Sequence, residues 1–255
     1  MNAPVPRPTL LVDLGNSRLK WAWLQAGRAG EAAALSHRTQ DLSRQLDAGW
    51  KRMPAPARVV LASVAGRERT GEFLDWVDGR WGLRVEQTRS RDQALGVTNA
   101  YAEPRHLGVD RWLALIAVHR RFSGPACIVD CGSAITIDGL AADGRHLGGL
   151  ILPGLAMMRE ALLRGTGLDD FPPPPEPHWL ACDTAGAIGY GGLFACVALV
   201  ERLAARIEEE CARVPEIILS GGDGARLQPL LEPTSRYERD LVLSGLAAIA
   251  GEVES

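Results

Sequence analysis

Long hydrophobic runs are missing from the sequence. No stretch of its 255 residues approaches the roughly 20 apolar residues that a membrane helix needs. Residues 1–10 have three prolines and no apolar block of the kind found in a secretory signal. Hydrophobic residues make up 46% and charged residues 23% of the chain, close to the averages of soluble globular proteins. We therefore expect a soluble, cytoplasmic protein that does not associate with membranes.

The sequence also lacks the paired cysteines of a small secreted protein and the positive charge of a nucleic-acid-binding protein. Its five cysteines are odd in number and lie in or beside apolar segments, unlike the paired cysteines of a small secreted domain. Cys127 and Cys131 have no matching second pair nearby, so buried free thiols are favoured over a zinc site. The net charge is -3, and no basic patch or helix-turn-helix pattern predicts contact with nucleic acid. Small molecules are therefore the expected partners.

The two common nucleotide-binding signatures are absent as well. The chain has no G-x-x-x-x-G-K-[ST] loop, and the glycines within 189–192 lack the strand–turn–helix context of a dinucleotide-binding fingerprint. If the protein binds a nucleotide, it therefore uses another arrangement.

Two similar segments are present about half a chain apart. LLVDLGNSRLKW (10–21) and CIVDCGSAITID (127–138) each contain three apolar residues, an aspartate, one further residue and a glycine, followed by small residues and an alternating segment. Asp13 aligns with Asp130. The pattern predicts two β-hairpins with acidic tips. Their repetition indicates duplicated halves, which we place at 1–118 and 119–255.

Strands and helices alternate in both predicted halves, which indicates an α/β fold. RVVLASV at 58–64 and the start of EIILSGGDG at 216–224 are apolar strands, and 67–79 forms a plausible helix. A longer helix from Tyr190 carries more apolar residues at its start than one face requires, which suits either a dimer interface or burial in the core.

The acidic hairpins have the composition of a metal–phosphate site. A glycine beside small polar residues lets backbone N–H groups approach an anion, and a nearby aspartate can hold a hydrated cation. Two hairpins facing each other across a cleft would grip a polyphosphate, and SGGDG at 220–224 could admit a flat nucleoside ring. A single hairpin of this kind would be an ordinary Asp-Gly turn. The repetition favours the phosphate site.

With these hairpins, the sequence resembles the type III pantothenate kinases over nearly the whole chain, in five motifs that occur in the family's order. The strand LVDLGNSRLKWAW and the proline-rich loop at 171–177 are further similar to the Bvg accessory factor branch of that family. The five motifs are DLGNS at 13–17, GVDRW at 108–112, DCGSAITID at 130–138, GGLILPGL at 148–155 and DTAGAIGYG at 183–191.

The resemblance implies a fold and a reaction. The fold would be that of the acetate and sugar kinase, Hsc70 and actin superfamily, with two ribonuclease H-like halves, in a homodimer. The reaction would be phosphoryl transfer from ATP to the 4′-hydroxyl of pantothenate, the first step toward coenzyme A. Family members use Mg²⁺ or another divalent cation, together with K⁺ or NH₄⁺.

The resemblance also implies roles for individual residues. Asp110 matches the general base, Asp130 the monovalent-cation ligand, and Ser133 a hydroxyl that contacts ATP. Asp13, which matches a position near the magnesium ion, begins the segment that binds the ATP phosphates. That segment comprises Asp13, Leu14, Gly15, Asn16, Ser17, Arg18, Leu19 and Lys20. The pantothenate contacts are Tyr101, Gly108, Val109, Asp110, Arg111 and Thr184, the last near the dimer interface.

Several of these residues have simpler interpretations. Asp110 and Arg111 lie at the start of an apolar helix, where they could be a capping aspartate and a surface arginine. If Arg111 is functional, it could pair with a substrate carboxylate or with the transferring phosphoryl group. Lys20 could reach phosphates or face solvent. Ile135 stands where the family usually has threonine, which removes a hydroxyl and puts the potassium site around Asp130 in question.

Two other classes of function remain open at this point. One is another kinase or phosphatase of the same superfamily, which GVDR, Tyr101 and Thr184 disfavour. The other is a noncatalytic regulator that keeps the nucleotide cleft but acts through protein contacts. The presence of Asp13, Asp110 and Asp130 favours an active enzyme over this second class.

Overall fold

The chain forms two compact units. A computed structural model describes residues 8–37, 41–168, 177–231 and 234–252. The first unit comprises residues 1–120 and 240–255, and the second comprises 121–239. Most of the proline-rich loop noted above lies outside the described residues.

The first unit is built on one mixed sheet. Its central strand, Thr9–Leu14, pairs antiparallel with Arg18–Gln25, the second strand of the first hairpin, and parallel with Arg58–Ser63. The elements in chain order are β1 (Thr9–Leu14), β2 (Arg18–Gln25), β3 (Arg28–Ala29), β4 (Ala33–Ser36), α1 (Leu42–Gly49), β5 (Arg58–Ser63), α2 (Gly66–Trp81), β6 (Val85–Gln87), β7 (Gln93–Ala94), β8 (Val97–Thr98) and α3 (Val109–Arg121). The main strands lie in the order β4-β2-β1-β5-β6. The short β3 pairs antiparallel with the last two residues of β2.

The second unit repeats this plan. Its elements are β9 (Ala126–Cys131), β10 (Ala134–Leu140), β11 (His146–Pro153), α4 (Leu155–Thr166), α5 (Thr184–Cys211), β12 (Glu216–Ser220), α6 (Gly224–Leu227) and β13 (Ser235–Tyr237). The strands lie in the order β11-β10-β9-β12-β13, with the first two pairings antiparallel and the last two parallel. If the short β3 is left out and the strands of each unit are numbered along the chain, both sheets have the spatial order third, second, first, fourth, fifth. This shared order confirms the prediction of duplicated α/β halves.

The last helix, α7 (Leu241–Glu252), packs on the first sheet. It contacts β1, β3 and β5, and Gly245 lies so close to the carbonyl of Leu113 in α3 that a side chain at 245 would not fit. The sequence pattern places this helix in the second half, 119–255. In the structure it belongs with the first unit, because it packs against the strands of that unit's sheet.

One helix departs from the expectation that no segment is apolar enough to span a membrane. Among the described residues, α5 is long and apolar enough to do so by length and composition. The core helix of a soluble unit passes the same test, and α5 packs six side chains into the core of the second sheet. These are Leu193, Cys196, Val197, Val200, Ala204 and Ile207.

All five cysteines are free thiols. Cys127 and Cys131 are buried in the core of the second unit, as predicted, and Cys196 is buried beside them. Burial raises the pKa of Cys127 to about 12, so this thiol stays protonated and unreactive at neutral pH.

Candidate active site

The first hairpin ends in a tight turn that contains a glycine. Asp13 lies directly opposite Lys20 across β1 and β2. The N–H of Gly15 donates to the carbonyl of Arg18 at 3.0 Å, and a Cβ at Gly15 would lie 3.3 Å from that oxygen, which is a tight contact. Asn16 is exposed at the tip of this turn.

The two leucines of the predicted phosphate-binding segment serve the core. Leu14 and Leu19 are paired across the hairpin, and both side chains are fully buried. Their side chains are therefore not available to a ligand.

Lys20 has a protein partner. Its Nζ lies 3.1 Å from Oδ1 of Asp240, and both side chains are 29% exposed. Asp240 adopts a left-handed backbone conformation, and its carbonyl accepts the N–H of Ser244 in the first turn of α7. Lys20 thus links the first hairpin to the last helix, although partly exposed ion pairs contribute only about 0–1 kcal/mol.

The GVDR segment forms the start of α3. The N–H of Trp112 donates to the carbonyl of Gly108 at 3.0 Å, and the N–H of Arg111 donates to Oδ1 of Asp110 at 2.8 Å. A Cβ at Gly108 would lie 2.5 Å from that same Oδ1, so the carboxylate occupies space that only glycine leaves open. Asp110 lies within the first helical turn, where the helix dipole favours its ionised form.

Arg111 is not the surface residue of the simpler interpretation. It is 4% exposed, its Nη1 donates to the hydroxyl of Tyr101 at 2.9 Å, and its guanidinium carbon lies 5.6 Å from the centre of the tyrosine ring. The structure therefore brings together Tyr101, Gly108, Asp110 and Arg111, all of which the sequence predicts as substrate contacts.

The loop that carries Tyr101 is held by a residue that sequence reasoning missed. The side-chain amide of Asn99 donates to the carbonyls of Arg91 and Pro104, both at 3.2 Å, and its Oδ1 accepts the N–H of Tyr101 at 3.0 Å. The readiness of asparagine to bond nearby backbone is the signal that could have identified it. Its remote partners were not readable from the sequence.

The second hairpin closes in a similar turn. The N–H of Gly132 donates to the carbonyl of Ala134, and the carbonyl of Ser133 accepts the N–H of Gly154, both at 3.0 Å. A Cβ at Gly154 would lie 2.5 Å from the carbonyl oxygen of Gly132. The glycine therefore lets the chain after β11 lie against the hairpin tip, where Ser133 is exposed.

The SGGDG segment reaches the same hairpin from β12. Gly221 has a left-handed backbone and lies against the carbonyl of Cys131, which also accepts the N–H of Asp223 at 3.2 Å. The hydroxyl of Tyr237 donates to the carbonyl of Gly221 at 2.8 Å. The second unit thus places two positions that only glycine can fill, Gly154 and Gly221, beside the hairpin tip.

Ile135, which stands where the family that the sequence resembles usually has threonine, lies on the face of the second sheet opposite to Asp130. Asp130 lies opposite Thr136 in the hairpin, whereas Ile135 lies opposite Cys131 and both of these are buried in the core. Because neighbouring residues of a strand point to opposite faces, Ile135 removes no hydroxyl from the side of Asp130. Ile135 is therefore no argument against a potassium site at Asp130.

Thr184 is the first residue of α5 and is exposed. The cap of this helix is Asp183, whose carboxylate accepts the N–H of Gly186 at 2.7 Å.

Asp13 and Asp130 fit cations that keep water and phosphate ligands. Within the described ranges, no group of three or more histidine, cysteine, aspartate or glutamate residues could hold a metal ion. Mg²⁺ in kinases needs only one or two carboxylates beside the substrate phosphates. Single carboxylates on hairpins with glycine-dependent turns are therefore compatible with a cation that arrives with its nucleotide.

Comparison with known proteins settles the family. The profile of type III pantothenate kinases matches residues 9–206. The chain belongs to the type III pantothenate kinase family. A type III pantothenate kinase from Nitrosococcus oceani is 41% identical, over 94% of this chain and 93% of its own.

Solved structures show the same fold at low sequence identity. A Baf family transcriptional activator from Campylobacter jejuni has a TM-score of 0.63 at 22% identity and covers 96% of this chain and 98% of its own. A 2-dehydro-3-deoxygalactonokinase from Sinorhizobium meliloti has a TM-score of 0.57 at 16% identity, over 96% and 99%. The chain therefore has the fold expected from the resemblance, which these two proteins share.

Proposed function

We propose that the protein transfers the γ-phosphoryl group of ATP to the 4′-hydroxyl of pantothenate, the first step of coenzyme A biosynthesis, in the cytoplasm. The observation that carries this proposal is the cluster of Tyr101, Gly108, Asp110 and Arg111 in a chain of the type III pantothenate kinase family. Its partners would be pantothenate and ATP rather than nucleic acid or a membrane.

Asp110 is proposed as the general base. A primary alcohol is a poor nucleophile, and a carboxylate that accepts its proton late in the transfer lowers the barrier. The hydroxyl oxygen forms a bond to the γ-phosphorus, the bond to the β–γ bridging oxygen breaks and leaves ADP, and the proton passes to Asp110. The helix dipole and the N–H of Arg111 keep this carboxylate ionised and oriented.

Arg111 and Tyr101 are proposed to hold the anionic substrate. A buried guanidinium has five N–H donors and retains its charge, so it suits the carboxylate of pantothenate. The bond from Arg111 to the Tyr101 hydroxyl fixes both side chains before the substrate arrives. Thr184, exposed at the start of α5, is proposed as a further contact.

The hairpins are proposed to hold the nucleotide and its cations. Residues 13–20 would bind the ATP phosphates, Ser133 would contact ATP, Asp13 would face Mg²⁺, and Asp130 would bind K⁺ or NH₄⁺. When bound, the cations would neutralise phosphate charge. The backbone N–H groups at the glycine turns then orient the phosphates for in-line attack.

A homodimer is proposed from the apolar surface of the second unit. We call this the α4 surface. No residue of α4 is buried, and the neighbouring edge strand β11 exposes 64% of Ile151. Exposed apolar patches of this kind mark protein contacts. The large exposed apolar residues of β11 and α4 are Leu150, Ile151, Met157 and Leu162.

The test is phosphorylation of pantothenate by the purified protein with ATP, Mg²⁺ and K⁺. We expect turnover in the wild type and a loss of at least about 10²-fold in Asp110→Asn. Asp143→Asn, an exposed aspartate of the second unit, is the matched control and should retain full activity. A folded wild type that shows no turnover with any phosphate donor or monovalent cation would overturn the proposal and favour a noncatalytic regulator.

A further inference from the structure

His37 is a buried residue beside the first hairpin turn that the proposed reaction does not use. It follows β4 directly and is 1% exposed. Its backbone N–H donates to the carbonyl of Ser17 at 3.1 Å, and backbone groups of Gly15 and Arg18 face its ring. The imidazole therefore contacts the turn proposed to hold the ATP phosphates.

Arg69 of α2 determines which ring nitrogen of His37 carries the proton. Nη1 of Arg69 lies 3.0 Å from Nδ1 of His37 and donates to the His37 carbonyl at 3.1 Å. A guanidinium is a donor only, so Nδ1 must be an unprotonated acceptor. The proton of the neutral ring then lies on Nε2. Burial and the positive charge of Arg69 both lower the pKa of His37, which favours this neutral form.

Nε2 of His37 is a buried donor without an acceptor. It forms no hydrogen bond with any residue in the described part of the chain. A buried N–H group without an acceptor is costly, and such groups in native structures usually have a reason. The turn supplies carbonyl acceptors, because the backbone of Gly15 and Arg18 faces the ring without yet completing a bond to Nε2. A bond from Nε2–H to one of these carbonyls would satisfy the donor.

The second unit has a backbone hydrogen bond equivalent to the one from His37 to Ser17, but it has no histidine at that position. Its equivalent of His37 is Gly154, whose N–H donates to the carbonyl of Ser133 at 3.0 Å. No side chain fits there, since a Cβ would lie 2.5 Å from the carbonyl oxygen of Gly132. The buried imidazole is therefore a feature of the first hairpin and not a requirement of the repeated fold.

We propose that His37, held with its proton on Nε2 by Arg69, is a positioning residue for ATP. Its Nε2–H donates to a carbonyl of the Gly15–Arg18 turn when the turn closes on the phosphates, and the bond gained stabilises the nucleotide-bound form. The proposal rests on the proposed function, since it assigns His37 to the same ATP site. His37 touches neither substrate and acts through the turn.

The experiment compares His37→Ala and His37→Gln. The glutamine amide can place a donor near the position of Nε2, whereas alanine cannot. The readouts are KM for ATP, KM for pantothenate, and calorimetric binding of a non-hydrolysable ATP analogue. We expect His37→Ala to raise KM for ATP and the Kd of the analogue about tenfold, as for a lost hydrogen bond. KM for pantothenate should stay unchanged, and His37→Gln should recover most of the loss.

Val77→Ala is the matched control for general destabilisation. Val77 is a fully buried residue of α2, the helix of Arg69, so its truncation leaves a cavity in the same core. It should lower the melting temperature and leave KM for ATP unchanged. An equal rise in KM for ATP in Val77→Ala, or no rise in His37→Ala, would overturn the role of His37.

The two proposals fail in different ways. A wild type that binds the ATP analogue but does not phosphorylate pantothenate would overturn the proposed function, while the analogue titration would still decide the role of His37. A wild type with full activity and an unaffected His37→Ala would overturn the role of His37 alone.

Discussion

Gly108 is the position at which one added methyl group should affect the reaction most directly. In Gly108→Ala the new Cβ would collide with Oδ1 of Asp110, which lies 2.5 Å from its position. The carboxylate must then turn away from its bond with the N–H of Arg111. Because displacing a reacting group by about 1 Å can cost about 10²-fold in rate, we expect kcat to fall by about that factor. The measurement is steady-state kinetics with pantothenate and ATP.

Gly79→Ala is the control for this substitution. Gly79 lies exposed in α2, and no atom lies within 4 Å of the position that an added Cβ would take. Alanine is the better helix former, so the free energy of unfolding should rise by about 0.5–1 kcal/mol with kcat unchanged. Full activity in Gly108→Ala would contradict the steric role assigned to the glycine.

The buried His37 should make the stability of the protein depend on pH. Its pKa in the folded protein is lowered from the ordinary value of 6.5, by burial and by Arg69, while the carbonyls facing the ring act in the opposite direction. The unfolded chain therefore takes up a proton first as the pH falls. The stability due to the neutral ring is complete above the unfolded pKa and is lost as the pH falls toward the folded pKa.

This dependence can be measured as the urea midpoint of unfolding at about pH 7.5 and about pH 5.5. The decrease on acidification should be larger in the wild type than in His37→Gln, which has no titrating ring. Equal decreases in the two proteins would show that His37 does not contribute.

Individual catalytic candidates could be predicted from the sequence when their role is encoded locally. Asp110 and Arg111 lie in one short motif, and the adjacent glycine explains the carboxylate's position. Asn99 and His37 could not be found in this way. The partners that define them include Arg91 for Asn99 and Arg69 for His37, and only folding brings these residues together.

At the scale of elements, two of the three tyrosines offer a test that separates the two proposed substrate sites. The Tyr237 hydroxyl, at the end of β13, holds the SGGDG turn through the carbonyl of Gly221. The Tyr101 hydroxyl instead accepts a bond from Arg111. We expect Tyr237→Phe to raise KM for ATP and Tyr101→Phe to raise KM for pantothenate, each by a factor of about 3–10, as for loss of one hydrogen bond.

Each tyrosine variant is the control for the other. Steady-state kinetics with one substrate varied at saturating concentrations of the second gives both KM values. If either variant raised both KM values equally, the turn and the loop would not serve separate ligands.

The hairpins and the alternation of strands and helices were predictable because their patterns are local. β1 and β9 are continuous apolar runs that end at an aspartate, β2 and β10 begin with alternating apolar residues, and each turn contains a glycine. The placement of α7 was not predictable, because an apolar helix can cover either sheet. Its position depends on packing against β1, β5 and α3, with Gly245 at the closest approach.

At the scale of the whole molecule, duplication separates what the two halves share from what differs between them. Both sheets have the same strand order. In each unit a carbonyl of the hairpin turn also accepts the backbone N–H of the residue that follows the neighbouring strand, which is β4 in the first unit and β11 in the second. The residue at that position differs, with His37 in the first unit and Gly154 in the second. The backbone hydrogen bonds that both units share are therefore features of the fold. We expect the two units to differ in function at the side chains beside these bonds, such as His37.

The α4 surface should mediate dimerisation. Ile151 lies on β11, an edge strand of the second sheet, and is 64% exposed. Ile151→Asp removes no core contact, so the melting temperature of the monomer should change little. A charge at the centre of an apolar interface is strongly unfavourable, and we expect the dimer to dissociate at micromolar concentration. The measurement is molar mass by light scattering after size-exclusion chromatography.

Val214→Asp provides a matched control for this prediction. Val214 is also 64% exposed but lies in the loop between α5 and β12, outside the α4 surface. The same change in charge there should leave the molar mass unchanged. Because both positions are equally exposed, a difference between the two variants reports the location of the interface and not the cost of the substitution. Dissociation in both variants, or in neither while the wild type is a dimer, would place the interface elsewhere on the molecule.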